Sequence, residues 1–217
     1  MKAILWDLDD TLLETLPGRM KALEHAYRAC VGGSVDPLAL WRSHRGGSLE
    51  ALGERLMGAD GPRFVKTYRD YYYALPRAAR AFEGVTDVLD SFVHASLPMA
   101  VVTAKISWGA VDELSAAGLL GYFAAVVGAD DTDLHKPHPD PIYEAMSRLV
   151  VDEPRDVMFV GDSPADVGAA RNAGCMAVAA TWGTLDEELL LDAGPEFVAR
   201  RPADVLEVLT AARGVLR

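Results

Sequence analysis

Short apolar runs separated by helix-length segments constrain the fold of this chain more than any other feature. They are AILWDL (3–8), PMAVVTA (98–104), AAVVGAD (124–130), VMFVGDS (157–163) and MAVAAT (176–181), with EFVA (196–199) as a weaker, edge candidate. Continuous runs of this kind are expected of strands buried on both faces. Between them lie amphipathic segments. Residues 109–123 carry Val111, Leu114 and Leu119, with a stop at Gly118. Residues 139–150 place Pro near the start and Ile142, Ala145, Met146 and Leu149 on one face. Residues 164–174 end on Gly174, and 186–194 and 202–216 follow. Strand alternating with helix predicts an α/β fold, a doubly wound parallel sheet of Rossmann-like type.

One stretch breaks the alternation. Residues 15–82 contain no convincing strand, only the amphipathic pieces 18–32, 36–44, 48–58 and 62–76. They predict a helical subdomain inserted after the first strand, leaving 1–14 and 83–217 as the α/β core. The flanks LPG (16–18) and FEGVTD (82–87) hold turn formers suited to hinges.

Composition narrows the function. The 217 residues are half apolar and carry a formal net charge of −11. An acidic surface repels phosphate backbones, so no nucleic-acid partner is expected. Any anionic substrate then needs a local positive site or a bound cation. Cys30 and Cys175 lie far apart in no CxxC pattern, which argues against a disulfide framework. The acids of MKAILWDLDD arrive before a signal-length apolar stretch can form, and no run reaches membrane-spanning length. A cytoplasmic protein with no membrane partner is the expectation.

In doubly wound sheets, ligands bind at the carboxyl ends of the strands. The first run stops at Asp7 and Asp9. The second stops at Thr103, with Lys105 close behind. The third runs into GADDTDLHKPHPD, which holds Lys136, and the fourth stops at Asp162, with Asp166 four residues on. Asp7, Asp9 and Asp162 brought together repel one another, and unpaired buried carboxylates take up protons or destabilise the fold. A hard divalent cation removes that conflict, and Mg2+ prefers oxygen ligands. An EF-hand does not account for DLDDT: counted from Asp7, position six is Leu12 instead of Gly and position twelve is Gly18 instead of Glu.

These residues resemble the haloacid dehalogenase-like hydrolases, in the branch with a small helical cap after the first strand. DLDDT is similar to that family's DxDxT motif, VVTA to its second motif, KPHPDP to its lysine motif and GDSPAD to its GDxxxD motif, all in order. The resemblance implies that residues 15–82 are the cap and that the chain is a phosphatase. Asp7 would be the nucleophile that forms a phosphoaspartyl intermediate, and Asp9 the proton donor and acceptor. Thr103 would donate to a phosphoryl oxygen, and Lys136 would offset charge on Asp7 and the phosphoryl group. Mg2+ would be held by the Asp7 side chain, the Asp9 backbone carbonyl and Asp162, with Asp166 binding directly or through water.

Two positions depart from the family's pattern. Asp10 stands where Gly is frequent. Ala104 stands where related phosphatases often have Asn, so an amide that can touch substrate is lost. VGDSPADVGAARNAG looks most like the phosphoglycolate phosphatases, which makes a small phosphomonoester the expected substrate. The alternatives are a phosphomutase of the β-phosphoglucomutase type and a non-catalytic phospho-ligand-binding protein.

Among the remaining features, Arg45 in SHRGGSLEAL is a candidate substrate contact, set against an ordinary exposed loop arginine. His135 and His138 flank Lys136 without nearby cysteine, a poor zinc signal. The tyrosines of YRDYYYAL suit cap packing or a partner surface better than base stacking. Cys175 reads as buried filler.

Overall fold

The computed structural model describes residues 1–44, 48–75 and 79–215. The chain forms two compact units, Met1–Glu14 with Arg80–Arg217, and Thr15–Ala79.

The first unit is built on a six-stranded sheet: β1 (Ala3–Trp6), β2 (Met99–Val102), β3 (Ala125–Val127), β4 (Val157–Gly161), β5 (Met176–Ala180) and β6 (Phe197–Ala199). The strand order is β3-β2-β1-β4-β5-β6 and every pairing is parallel. Doubly wound α/β is therefore the fold, as the alternating pattern predicts. The central strands β1, β2 and β4 are buried at every position. The sheet tapers at its margins: β3 and β6 have three residues each, and Val198 is exposed, in keeping with the edge position expected of 196–199.

Alternate residues of β1 serve opposite faces. Ala3 and Leu5 join one core with Ile142, Ala145 and Met146 of α7 (Asp140–Arg148) and Val167, Ala169 and Ala170 of α8 (Pro164–Ala173). On the other face Trp6 lies 6.1 Å, centroid to centroid, from Phe92 of α5 (Val85–His94). Further helices are α6 (Ser107–Ala116), α9 (Glu187–Asp192) and α10 (Asp204–Val215).

The strands stop earlier than the apolar runs suggest. β1 ends at Trp6, β2 at Val102, β3 at Val127 and β4 at Gly161, so the polar residues sit just past the ladder. The helix of 109–123 begins at Ser107 and ends at Ala116, with Gly118 at φ +73 where the left-handed turn requires it. Residues 82–87 hold the start of a helix: Gly84, at φ +85, immediately precedes α5.

The second unit contains α1 (Leu16–Cys30), α2 (Pro37–Ser43), α3 (Leu49–Met57) and α4 (Gly61–Ala74). Its core is Leu23, Ala26, Leu52 and Phe64, with Met20, Tyr27, Leu40, Trp41 and Tyr68 packed against it. The Asp36 and Ser48 side chains cap α2 and α3 by accepting backbone N–H groups. Helices α3 and α4 meet closely, since a Cβ on Gly53 would lie 2.8 Å from the Gly61 carbonyl oxygen. Among the described residues, no helix is long and apolar enough to cross a membrane.

Candidate active site

The strand order reverses direction at β1 and β4, the point where open α/β sheets bind ligands. Trp6 pairs with Val101 on one side and Val160 on the other. The residues that follow these strands therefore emerge side by side: Asp7, Thr103 and Asp162. Backbone bonds hold the exits in place, with Asp7 N–H donating to Val160 O at 2.9 Å and Thr103 N–H to Val127 O at 2.9 Å.

Asp7 is 5% exposed. Lys136 Nζ donates to Asp7 Oδ1 at 2.6 Å and to Asp166 Oδ1 at 2.6 Å, and lies 3.3 Å from Val102 O. Burial pushes the Asp7 carboxyl up to about 7, against the pull of Lys136; the charges of Asp166 and Asp9 add to the rise. Burial also works to lower the Lys136 ammonium, but Asp166 and Asp7 outweigh it and hold its pKa above the usual lysine value.

Asp166 owes its place to the start of α8. Ser163 caps that helix, and Asp166 returns the bond by accepting from the Ser163 backbone N–H at 3.0 Å and its hydroxyl at 2.6 Å. Gly161 makes room: a Cβ there would come within 2.4 Å of the Asp166 side chain. Asp162 accepts from the Thr11 hydroxyl at 3.1 Å, while Trp182 Nε1 donates to the Thr11 carbonyl at 2.9 Å.

Asp7, Asp162 and Asp166 each offer a carboxylate oxygen, and the three atoms lie within 4.8 Å of one another. An all-oxygen set around a carboxyl raised by burial fits a hard divalent cation, which would lower the cost of ionising Asp7. The Asp9 carboxylate turns elsewhere. Lys105 Nζ donates to Asp9 Oδ1 at 2.8 Å and also pairs with Glu113 of α6. The Lys105 backbone N–H donates to Thr103 Oγ1 at 3.2 Å.

The structure therefore brings Asp7, Asp9, Thr103, Lys136, Asp162 and Asp166 to one end of the sheet, linked through Lys136 and Lys105. Ala104 lies exposed beside them. Arg45 lies outside the described residues. His135 and His138 are exposed. Asp10 adopts φ +61, which explains why a glycine suits this position. It is tightly enclosed, since a Cβ on Gly183 would meet the Asp10 carbonyl oxygen at 1.7 Å.

Sequence reading missed Glu113, Ser163 and the contact of Thr11 with Asp162. Glu113 left a signal: it falls on the buried stripe of α6 with Gly109, Ala110 and Leu114, where an apolar residue is expected.

Residues 4–180 match the family model of the haloacid dehalogenase-like hydrolases. A phosphoglycolate phosphatase of Yersinia pseudotuberculosis is 30% identical over 218 residues, covering 96% of this chain and 93% of its own. A relative from Caldanaerobacter subterraneus subsp. tengcongensis, provisionally named a pyrophosphatase, is 32% identical over 211 residues, covering 95% and 94%. Among solved structures, a haloacid dehalogenase-like family hydrolase from Streptococcus pneumoniae superposes with a TM-score of 0.85 at 27% identity, covering 96% of this chain and 98% of that one.

Proposed function

The chain belongs to the haloacid dehalogenase-like hydrolases and is a phosphoric monoester hydrolase; we propose that it passes the phosphoryl group of a small phosphomonoester to Asp7 and then to water, with 2-phosphoglycolate the leading substrate. One observation carries the reading. Asp7 and Asp9 follow the same strand, yet their carboxylates are held by different lysines, Lys136 and Lys105. The two-step reaction needs that separation, because an aspartate esterified by phosphate cannot also move protons.

In the first step an Asp7 oxygen attacks phosphorus and the bond to the ester oxygen breaks. Asp9, as the acid, gives its proton to the departing oxygen. In the second step Asp9 takes a proton from water, whose oxygen attacks phosphorus; inorganic phosphate leaves and the Asp7 carboxylate is restored. Lys136, anchored by Asp166, favours the ionised form of Asp7 and offsets the incoming negative charge. Thr103 accepts a bond from Lys105 N–H, which leaves its own hydroxyl hydrogen to donate to a phosphoryl oxygen. The Asp7, Asp162 and Asp166 carboxylates, with the Asp9 carbonyl, would hold Mg2+, which would supply positive charge to offset the repulsion between an anionic carboxylate and an anionic phosphate. In this reading residues 15–82 are the substrate-selecting cap and Arg45 a contact for a substrate carboxylate or phosphate.

The test is phosphate release from a panel of phosphorylated metabolites with Mg2+ present. Release from 2-phosphoglycolate and related small esters is expected, and Asp7→Asn is expected to abolish it while the far-ultraviolet circular dichroism is unchanged. Undiminished release by Asp7→Asn refutes the nucleophile. Phosphate returned to a sugar, without inorganic phosphate, supports the phosphomutase instead.

A further inference from the structure

Each of the two acids after β1 is tied to a lysine that is anchored in turn by a second buried carboxylate. Lys136 joins Asp7 to Asp166, and Lys105 joins Asp9 to Glu113. From this arrangement we infer that Lys105 is a positioning residue for Asp9, held in place by Glu113, and that it sets the orientation in which Asp9 delivers its proton. The inference rests on the reading of Asp9 as the acid.

The Lys105 side chain is 8% exposed and that of Glu113 7%. An ordinary lysine keeps its ammonium in water, because withdrawing it costs several kcal/mol unless partners replace the lost solvent. Asp9 and Glu113 are such partners for Lys105. The lysine's backbone is fixed as well. Its N–H donates to Thr103 Oγ1 at 3.2 Å and its carbonyl accepts from Ala129 N–H at 2.8 Å. A Cβ on Gly128 would lie 2.8 Å from that same carbonyl oxygen, so the loop is closely packed.

Glu113 projects from the buried stripe of α6, whose start is secured by Asp130: the Ser107 backbone N–H donates to it at 2.6 Å and the Ser107 hydroxyl at 2.8 Å. The anchor therefore stands on a rigid element. A carboxylate whose Oδ1 is fixed by an ammonium at 2.8 Å has its plane restrained, so the direction of its second oxygen is set as well. A carboxylate on a helix face that otherwise buries Gly109, Ala110 and Leu114 has no packing reason to be there. The bond to Lys105 supplies one.

Leaving groups of different basicity separate positioning from binding. An alkoxide needs Asp9's proton to depart; p-nitrophenolate does not. Steady-state kcat and KM are measured for the fastest alkyl phosphomonoester of the panel and for p-nitrophenyl phosphate, with Mg2+. Lys105→Met is expected to lower kcat/KM for the alkyl ester about 10- to 100-fold, and for the nitrophenyl ester less than about threefold. Glu113→Gln should shift both in the same direction by less. Adding Lys105→Met to Asp9→Asn should cause no further loss.

Equal losses for the two esters, a raised KM with unchanged kcat, or full additivity with Asp9→Asn overturn the inference and make Lys105 a substrate contact or a purely structural residue. Wild-type kinetics in Glu113→Gln removes the anchor. If Asp9→Asn itself shows no dependence on the leaving group, the acid assignment has failed, and that result is distinguishable from failure of the positioning role alone. Thermal midpoints of all variants establish that each is folded.

Discussion

Replacing Asp7 by asparagine should kill turnover and, without metal, stabilise the fold. Burial raises the Asp7 carboxyl from 3.8 to about 7. A group that binds its proton more tightly in the native state favours folding at low pH and loses that contribution as pH rises. Here the contribution is fully present below about pH 4 and is lost progressively up to about pH 7. Between pH 5 and pH 8 the native carboxyl remains protonated over roughly two of the three units in which the unfolded one is ionised. At about 1.4 kcal/mol per unit, that penalises the parent by on the order of 3 kcal/mol. An asparagine side chain has no charge to bury and escapes the penalty.

The assay is urea unfolding of parent and Asp7→Asn in EDTA at pH 5 and pH 8, followed by circular dichroism. The variant is expected to gain on the parent by that amount as pH rises. The gain should shrink when Mg2+ is added, because a cation bound to the folded parent stabilises it by mass action. A difference between the two proteins that is independent of pH refutes the reasoning, since it would mean that Asp7 ionises in the fold as easily as in water.

Three further outcomes follow from other positions. Gly183→Ala puts a Cβ 1.7 Å from the Asp10 carbonyl oxygen, so it should cost more than about 2 kcal/mol and disturb the turn that carries Asp9; a thermal midpoint equal to the parent's counts against the close approach. Trp6 is fully buried and its indole N–H has no hydrogen-bond partner among the described residues. Trp6→Phe should therefore change stability by less than about 1.5 kcal/mol, because removing the orphaned donor offsets the lost volume; a measured loss of about 3 kcal/mol or more refutes this. EDTA should silence phosphate release and Mg2+ restore it; an unaffected rate argues against a metal at Asp7, Asp162 and Asp166.

The order of strands and helices was readable because buried parallel strands leave continuous apolar runs, and β1, β2 and β4 are such strands. The site was partly readable for a related reason: acids and lysines stand out where an apolar run stops. The apolar runs overshoot the strand ends by one to three residues, because pattern cannot tell the last ladder residue from the first that leaves it. Only the first residues of α5 fall in a stretch that reads as turn formers, 82–87, and the rest of the helix is not predicted, because Gly84 and its neighbours mask its start.

Chain order and chemical type were thus set locally: apolar runs made strands, glycines at Gly118 and Gly174 ended helices, and acids were placed directly after β1 and β4. Which lysine serves which acid was decided only in three dimensions. Lys136 reaches Asp7 across 129 positions and Lys105 reaches Asp9 across 96. Those pairings depend on β1 lying between β2 and β4, and on a glutamate buried in the face of α6. A linear pattern records which groups a segment carries. It does not record which of them lose their water together, and that loss makes these charges depend on one another.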